Sequence, residues 1–147
     1  MNPAVFVVDT NVVAAGLITG PDRSPVVQIL DAMLSGMLIF LLSPALLDEY
    51  RNVLLRPKLS RLHGLNEQEI DRILVELTAN AIWREARATV AAPDRGDDHL
   101  RALLAAHADS ILVTGDRLLL ANPPDRSSVI SPKICVDRFL MEGRPHR

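Results

Sequence analysis

Apolar positions along the chain come in two forms, short unbroken blocks and stripes at helical spacing, and the two alternate. Ala4 to Val8 is a block, which predicts a short, fully buried strand. Asp9 stands at its end, and Thr10 or Asn11 can cap a helix that runs to about Leu17. Ser24-Pro25 opens a helix in which Val26, Val27, Leu30, Met33 and Leu34 recur on one face, and Gly36 ends it. Leu38 to Leu42 predicts a second buried strand, and Ser43-Pro44 then starts a helix to about Leu55, stopped by Pro57. Asn66 with Glu69 forms a capping box ahead of a helix carrying Ile70, Ile73, Leu74 and Leu77. Ala81 to Arg84 is a strand candidate, and Ala91 to Gly96 reads as a loop. A helix follows from Asp97 to about His107, then a strand at Ile111 to Val113, a fourth at Val129-Ile130, and a last helix from Ser131-Pro132 through Met141.

Short apolar strands separated by helices predict an α/β fold with a mostly parallel sheet. Neither repeats nor an internal linker interrupts the pattern, so the 147 residues are expected to form one domain, with core at about 4–140 and a frayed tail at 142–147. Composition agrees, being 48% apolar and only 3% aromatic. A net charge of −2, from 16 basic and 18 acidic residues, excludes binding of nucleic acid by bulk charge, so any such site is a local patch. The single cysteine, Cys135, excludes a disulfide framework and a cysteine zinc site, and suits a reducing, cytoplasmic setting. The opening residues carry no basic n-region, so no signal peptide is expected. The longest apolar run, Met37 to Leu42, is too short for a membrane span.

The acids carry the chemistry. In open parallel sheets, sites form beyond the carboxyl ends of the strands. Asp9 and Asp116 both stand there, the latter behind Gly115. Glu49 falls on or beside the buried face of its helix, with Leu46 and Val53 one turn away, whereas Asp48 has the more solvated phase. Asp97 and Asp98 open a helix. Each acid alone has a structural reading: N-cap, ion-pair partner or turn residue. Several carboxylates at one sheet edge would repel one another, and a divalent cation resolves that. Mg2+ takes oxygen ligands, keeps several waters, and can activate one of them against a phosphodiester.

The stretches Phe6-Val7-Val8-Asp9-Thr10-Asn11-Val12, Ser43-Pro44 with Glu49, Gly96-Asp97-Asp98 and Val113-Thr114-Gly115-Asp116 resemble a PIN domain, over nearly the whole chain. The likeness is greatest to VapC-type toxins of toxin–antitoxin pairs. It implies a three-layer α/β/α sandwich with a mostly parallel sheet of four or five strands. The activity implied is that of a Mg2+- or Mn2+-dependent ribonuclease. Carried over by position, the metal acids are Asp9, Glu49, Asp97 and Asp116, with Asp98 as the alternative third acid and Asn11 and Thr114 in support. The resemblance also implies a cognate antitoxin protein and a homodimer, both through the helical arm at roughly Leu46 to Leu77; the alternative is that this arm is simply the helical layer covering one face of the sheet.

Arg51, Arg56, Lys58 and Arg61 lie in a stretch free of acids, RNVLLRPKLSRLH, and are the candidate RNA contacts; the alternative is a solvated helix face. Arg95, Arg101 and Arg117, next to the acids in sequence, are candidates to neutralise charge in the transition state. His63, His99, His107 and His146 show no nucleophile pairing or metal spacing, and His99 is read as incidental. Two rivals remain. One is an inactive PIN-like module that binds RNA or protein. The other is an aspartyl phosphatase, whose pattern needs a second Asp where this chain has Asn11.

Overall fold

A computed structural model describes residues 3–20, 23–85, 98–123 and 128–140. The loop at 91–96, with Arg95, and Asp97, Met141 and the tail at 142–147 lie outside the described residues, as does the side chain of Asp98. β1 (Phe6–Val8) pairs in parallel with β4 (Ile111–Val113), with Phe6 opposite Ile111 and Val8 opposite Val113. β4 pairs in parallel with β5 (Ser128–Ile130). A second parallel pair, β2 (Leu41–Leu42) with β3 (Ile82–Trp83), joins this three-stranded sheet by a single bridge between Phe6 and Phe40, where Phe6 N donates to Ile39 O at 2.9 Å. The strands therefore run in the order β3-β2-β1-β4-β5. Their carboxyl ends share one edge, and the order reverses direction between β1 and β4. That reversal is where crevices form in open α/β sheets. The expected α/β class with a parallel sheet is the one found, although its five strands divide into three and two.

The helices begin where their caps dictate. α1 (Thr10–Thr19) is capped by Asp9, not by Thr10 or Asn11. α2 (Pro25–Ser35) has proline in its first turn and ends at Gly36, whose φ of 81° suits glycine. α1 and α2 pack so closely at Gly16 that an added Cβ would meet the Val26 carbonyl oxygen at 2.9 Å. In α3 (Pro44–Leu54) the Ser43 side chain accepts from Leu46 N at 3.2 Å. α5 (Glu67–Asn80) shows the expected reciprocal capping box of Asn66 and Glu69. Between them Pro57 does more than stop a helix, since it opens α4 (Pro57–His63), which the sequence pattern did not predict. α6 (Asp98–Ala106) matches its prediction within a residue. A short α7 (Arg117–Ala121) was not foreseen, and the last predicted helix is α8 (Pro132–Cys135) followed by a π-helical turn at Val136–Leu140.

The core is one cluster spanning strands and helices. Phe40, Leu41, Leu42, Leu46, Tyr50 and Leu54 from the β2–α3 unit are fully buried within it, as are Ile29, Met33, Ile70 and Leu77. Phe6 meets Phe139 edge to face, ring centres 5.0 Å apart, which secures the C-terminal turn to β1. Among the described residues no helix is long and apolar enough to cross a membrane.

Candidate active site

Asp9 and Asp116 stand beyond the carboxyl ends of the paired strands β1 and β4. Asp9 N donates to Val113 O at 2.9 Å, extending the ladder one residue beyond β1. The Asp9 carboxylate is buried, only 7% exposed. Its Oδ1 accepts from Thr10 N at 2.8 Å, which is the helix cap. Its Oδ2 accepts from Thr114 Oγ1 at 2.8 Å and from Asn11 Nδ2 at 3.4 Å. Asn11 Oδ1 in turn accepts from Gly115 N at 3.2 Å, and Thr114 Oγ1 accepts from Asp116 N at 3.0 Å. The Asp-Thr-Asn and Thr-Gly-Asp motifs are thus one hydrogen-bonded unit bridging the two strand ends. Asn11 and Thr114 both bond the Asp9 carboxylate. Asp116, exposed, caps α7 by accepting from Leu118 N at 2.9 Å.

Glu49 enters from the second turn of α3. Its carboxylate is half-buried; Oε2 accepts from Thr10 Oγ1, and Oε1 accepts from His99 Nε2 at 2.8 Å. His99 is therefore not incidental. It reaches Glu49 from α6, a meeting that spacing along the chain does not reveal. Tyr50, next to Glu49, is fully buried, and its hydroxyl donates to Val8 O at 2.6 Å, fixing α3 against the last residue of β1. The sequence offers Thr10 only as a helix-cap candidate, and gives no signal that Tyr50 bonds the end of β1.

Burial is the main reason the Asp9 carboxyl stands above the ordinary carboxylate range. Hydrogen bonds from Thr114 and Thr10 pull it back, while the charges of Glu49 and Asp116 push it further up. Asp9 thus lies in the field of both other acids. Among the described residues, however, no group of three or more His, Cys, Asp or Glu side chains is close enough to hold a metal ion as it stands. The donor set nevertheless fits a hard divalent cation. It offers carboxylate oxygens, each with lone pairs beyond those its hydrogen bonds use, and no Lys or Arg is bonded to any of the three among the described residues.

The basic candidates are not brought together in this way. Arg51 is committed to α5. Its Nη2 lies 2.6 Å from Glu67 Oε2, and its Nε lies 2.8 Å from Asp71 Oδ1. The stretch from Arg51 to His63 holds no acid, but the fold supplies two from the next helix but one, and Arg51 pairs with both. Arg56, Lys58 and Arg61 stand exposed on or beside α4, and Arg101 and Arg117 are exposed on α6 and α7.

A search of curated proteins finds no match to the chain, and a search of solved structures finds none either. A family model described as the PIN domain matches residues 5–118, a span that takes in Asp9, Glu49 and Asp116 together with β1, β4 and the helices between them. By that match, and with its parallel sheet, the chain belongs to the PIN domain family, whose fold is of the nuclease type.

Proposed function

We propose that this protein is a metal-dependent ribonuclease that hydrolyses RNA phosphodiester bonds at the carboxyl edge of its sheet. One observation carries the reading: Asp9, buried at the strand end, is driven further from its charged form by two more carboxylates, Glu49 and Asp116. A cluster that raises its own electrostatic cost is the arrangement a bound cation relieves. Asp9, Glu49 and Asp116, with Asp97 or Asp98 as the further acid, would hold Mg2+ or Mn2+. The chemistry such an ion supplies when bound is activation of a water and polarisation of the phosphate. The chain's own residues do the rest. Thr114 and Asn11 hold the Asp9 carboxylate in place. Thr10 and His99 hold Glu49. Asp116, open to solvent, orients the attacking water, which adds to phosphorus as the bond to the leaving sugar oxygen breaks. Arg56, Lys58 and Arg61 on the α4 side supply phosphate contacts for the flanking RNA.

The finer assignment is that of a cytoplasmic toxin, homodimeric and held by an antitoxin protein. It rests on the resemblance of the motifs and on an apolar groove between α3 and α5, lined by Leu47, Leu74 and the exposed Val75. The phosphatase alternative loses support because Asn11 is spent on Asp9 and on Gly115 N, and carries no acid for the second step. The inactive-module alternative is an outcome of the test. Wild type, Asp9→Asn and an EDTA control are incubated with a mixed RNA pool and Mg2+ or Mn2+. Cleavage that needs the metal and vanishes in the variant is the expected result. Identical, intact RNA in all three arms, with folding verified, would leave binding without catalysis.

A further inference from the structure

His99 lies in the first turn of α6, one residue after Asp98. Its Nε2 is 2.8 Å from Glu49 Oε1, a contact that joins α6 to α3. Its other ring nitrogen, Nδ1, is buried and has no hydrogen-bond partner among the described residues. These two facts select the tautomer. A neutral ring protonated on Nδ1 would bury an unpaired donor and turn the Nε2 lone pair towards a carboxylate. A ring protonated on Nε2 donates to Glu49 and leaves only a lone pair unmet, the cheaper deficit.

Glu49 needs such help. It is a long side chain whose carboxylate must stay at one place for the proposed chemistry, and fixing it costs rotamer freedom. Thr10 holds one oxygen from α1, and His99 holds the other from α6. The geometry points to His99 as a positioning residue: through its Nε2–H it fixes the Glu49 carboxylate at the acid edge, and it ties the helix that begins at Asp98 to the helix that carries Glu49. The assignment rests on the metal-dependent reading above and adds a part to it. His99 touches neither substrate nor ion in this role. Donors placed behind metal-holding side chains set their orientation, and losing one weakens metal affinity by about 10–100-fold.

Mn2+ binding to the full chain, followed by titration calorimetry, tests this without any turnover. Wild type is compared with His99→Leu, which cannot donate, with His99→Gln, whose amide can, and with Asp9→Asn. Leu is expected to weaken Mn2+ binding by about tenfold or more, and Gln to keep most of it. Wild-type affinity in the Leu variant, or a loss in Gln as large as in Leu, overturns the role of His99. The metal reading survives either result so long as Asp9→Asn binds Mn2+ more weakly than wild type. A wild type that binds no Mn2+ sinks both. Should the Leu variant fail to fold, nitrogen NMR of the wild-type imidazole decides. A proton on Nε2 supports the assignment, and a ring protonated on Nδ1 alone overturns it.

Discussion

Two groups of carboxylates in this molecule keep opposite company. Asp71 and Glu67, on the surface of α5, meet the Arg51 guanidinium across from α3, and Arg51 holds the Asp71 carboxyl below its ordinary range. Asp9, Glu49 and Asp116 stand near the sheet edge with hydroxyls, amides and an imidazole but, among the described residues, no bonded guanidinium or ammonium, and Asp9 is held above its ordinary range. The first group neutralises itself and ties two helices together. The second is assembled against its own repulsion, and the residues around it orient carboxylates without neutralising them. Stability alone does not select the second arrangement. On the metal-dependent reading proposed above, the missing positive charge comes from outside the chain.

The largest expected effect separates the groups at once. Asp9→Asn keeps a cap for α1, since asparagine caps as well as aspartate, and removes the buried charge. RNA cleavage and Mn2+ affinity should fall by at least about a hundredfold, the upper end of what even outer supporting residues cost. In EDTA the same variant should melt higher, on the order of 2–4 °C, the shift that about 1 kcal/mol produces at this chain length. The pH dependence follows from the direction of the shift. Asp9 binds its proton more tightly folded than unfolded, where the ordinary value is 3.8. Its contribution to stability is complete below that value and is lost as pH rises through the folded one. Wild type in EDTA should therefore lose stability relative to Asp9→Asn between acid and neutral pH. Calorimetric melts at several pH values check this. A variant less stable than wild type throughout would mean the second group is not under strain.

Next in size is Tyr50→Phe. The hydroxyl is buried and bonds the Val8 carbonyl at 2.6 Å, immediately before Asp9. Removing it leaves that carbonyl unpaired, at about 1–3 kcal/mol. Denaturant unfolding followed by Trp83, the one tryptophan, measures the loss. Because Tyr50 is also the one tyrosine, its ionisation can be read directly by ultraviolet absorbance. Burial, then the charges of Asp9 and Glu49, push the phenol well above its ordinary value of 10.0. The stability this gives is complete below pH 10 and is lost as pH rises through the folded value, so phenolate should appear only together with alkaline unfolding. A phenol that titrates near its ordinary value in the folded chain would place it outside the field of the two acids.

How far the sequence carried this picture depended on whether a feature was local. Asp9 and Asp116 were legible because an apolar block ends at each, and strand ends of a parallel sheet share an edge. Glu49 was legible from helical phase. α4 was not, because Pro57 reads equally as a stop or as a first helical residue. α7 was not, because five residues hold too little periodicity to register. For His99 and Arg51 the sequence does not show the contact, for one reason. Their partners lie 50 and 16–20 residues away, on helices whose mutual packing no spacing rule gives. Sequence placed the acids, while tertiary structure chose which of them received a counter-charge.

The smallest expected effect is the sharpest control on the comparison. Arg51→Leu keeps the side chain's apolar stem, which lies beside Leu47 and Leu74, and removes its charge. The ion pairs it breaks are largely exposed, so the loss in melting temperature should be small and should shrink further as salt is added. Its direction with pH is opposite to that of Asp9. The Asp71 carboxyl sits below its ordinary value of 3.8, so its contribution is present above that pH and is lost as pH falls through the folded value. The Arg51→Leu variant should show no such acid-side loss from this pair. Mn2+ affinity should not change, and RNA binding should weaken less than in a combined Arg56→Ala, Lys58→Ala and Arg61→Ala variant, measured by filter binding at fixed salt. If Arg51→Leu alone removed RNA binding, its guanidinium would be serving phosphate and not α5. Asp71 and Glu67 would then not be what holds that guanidinium, and the contrast between the two groups of acids would fail.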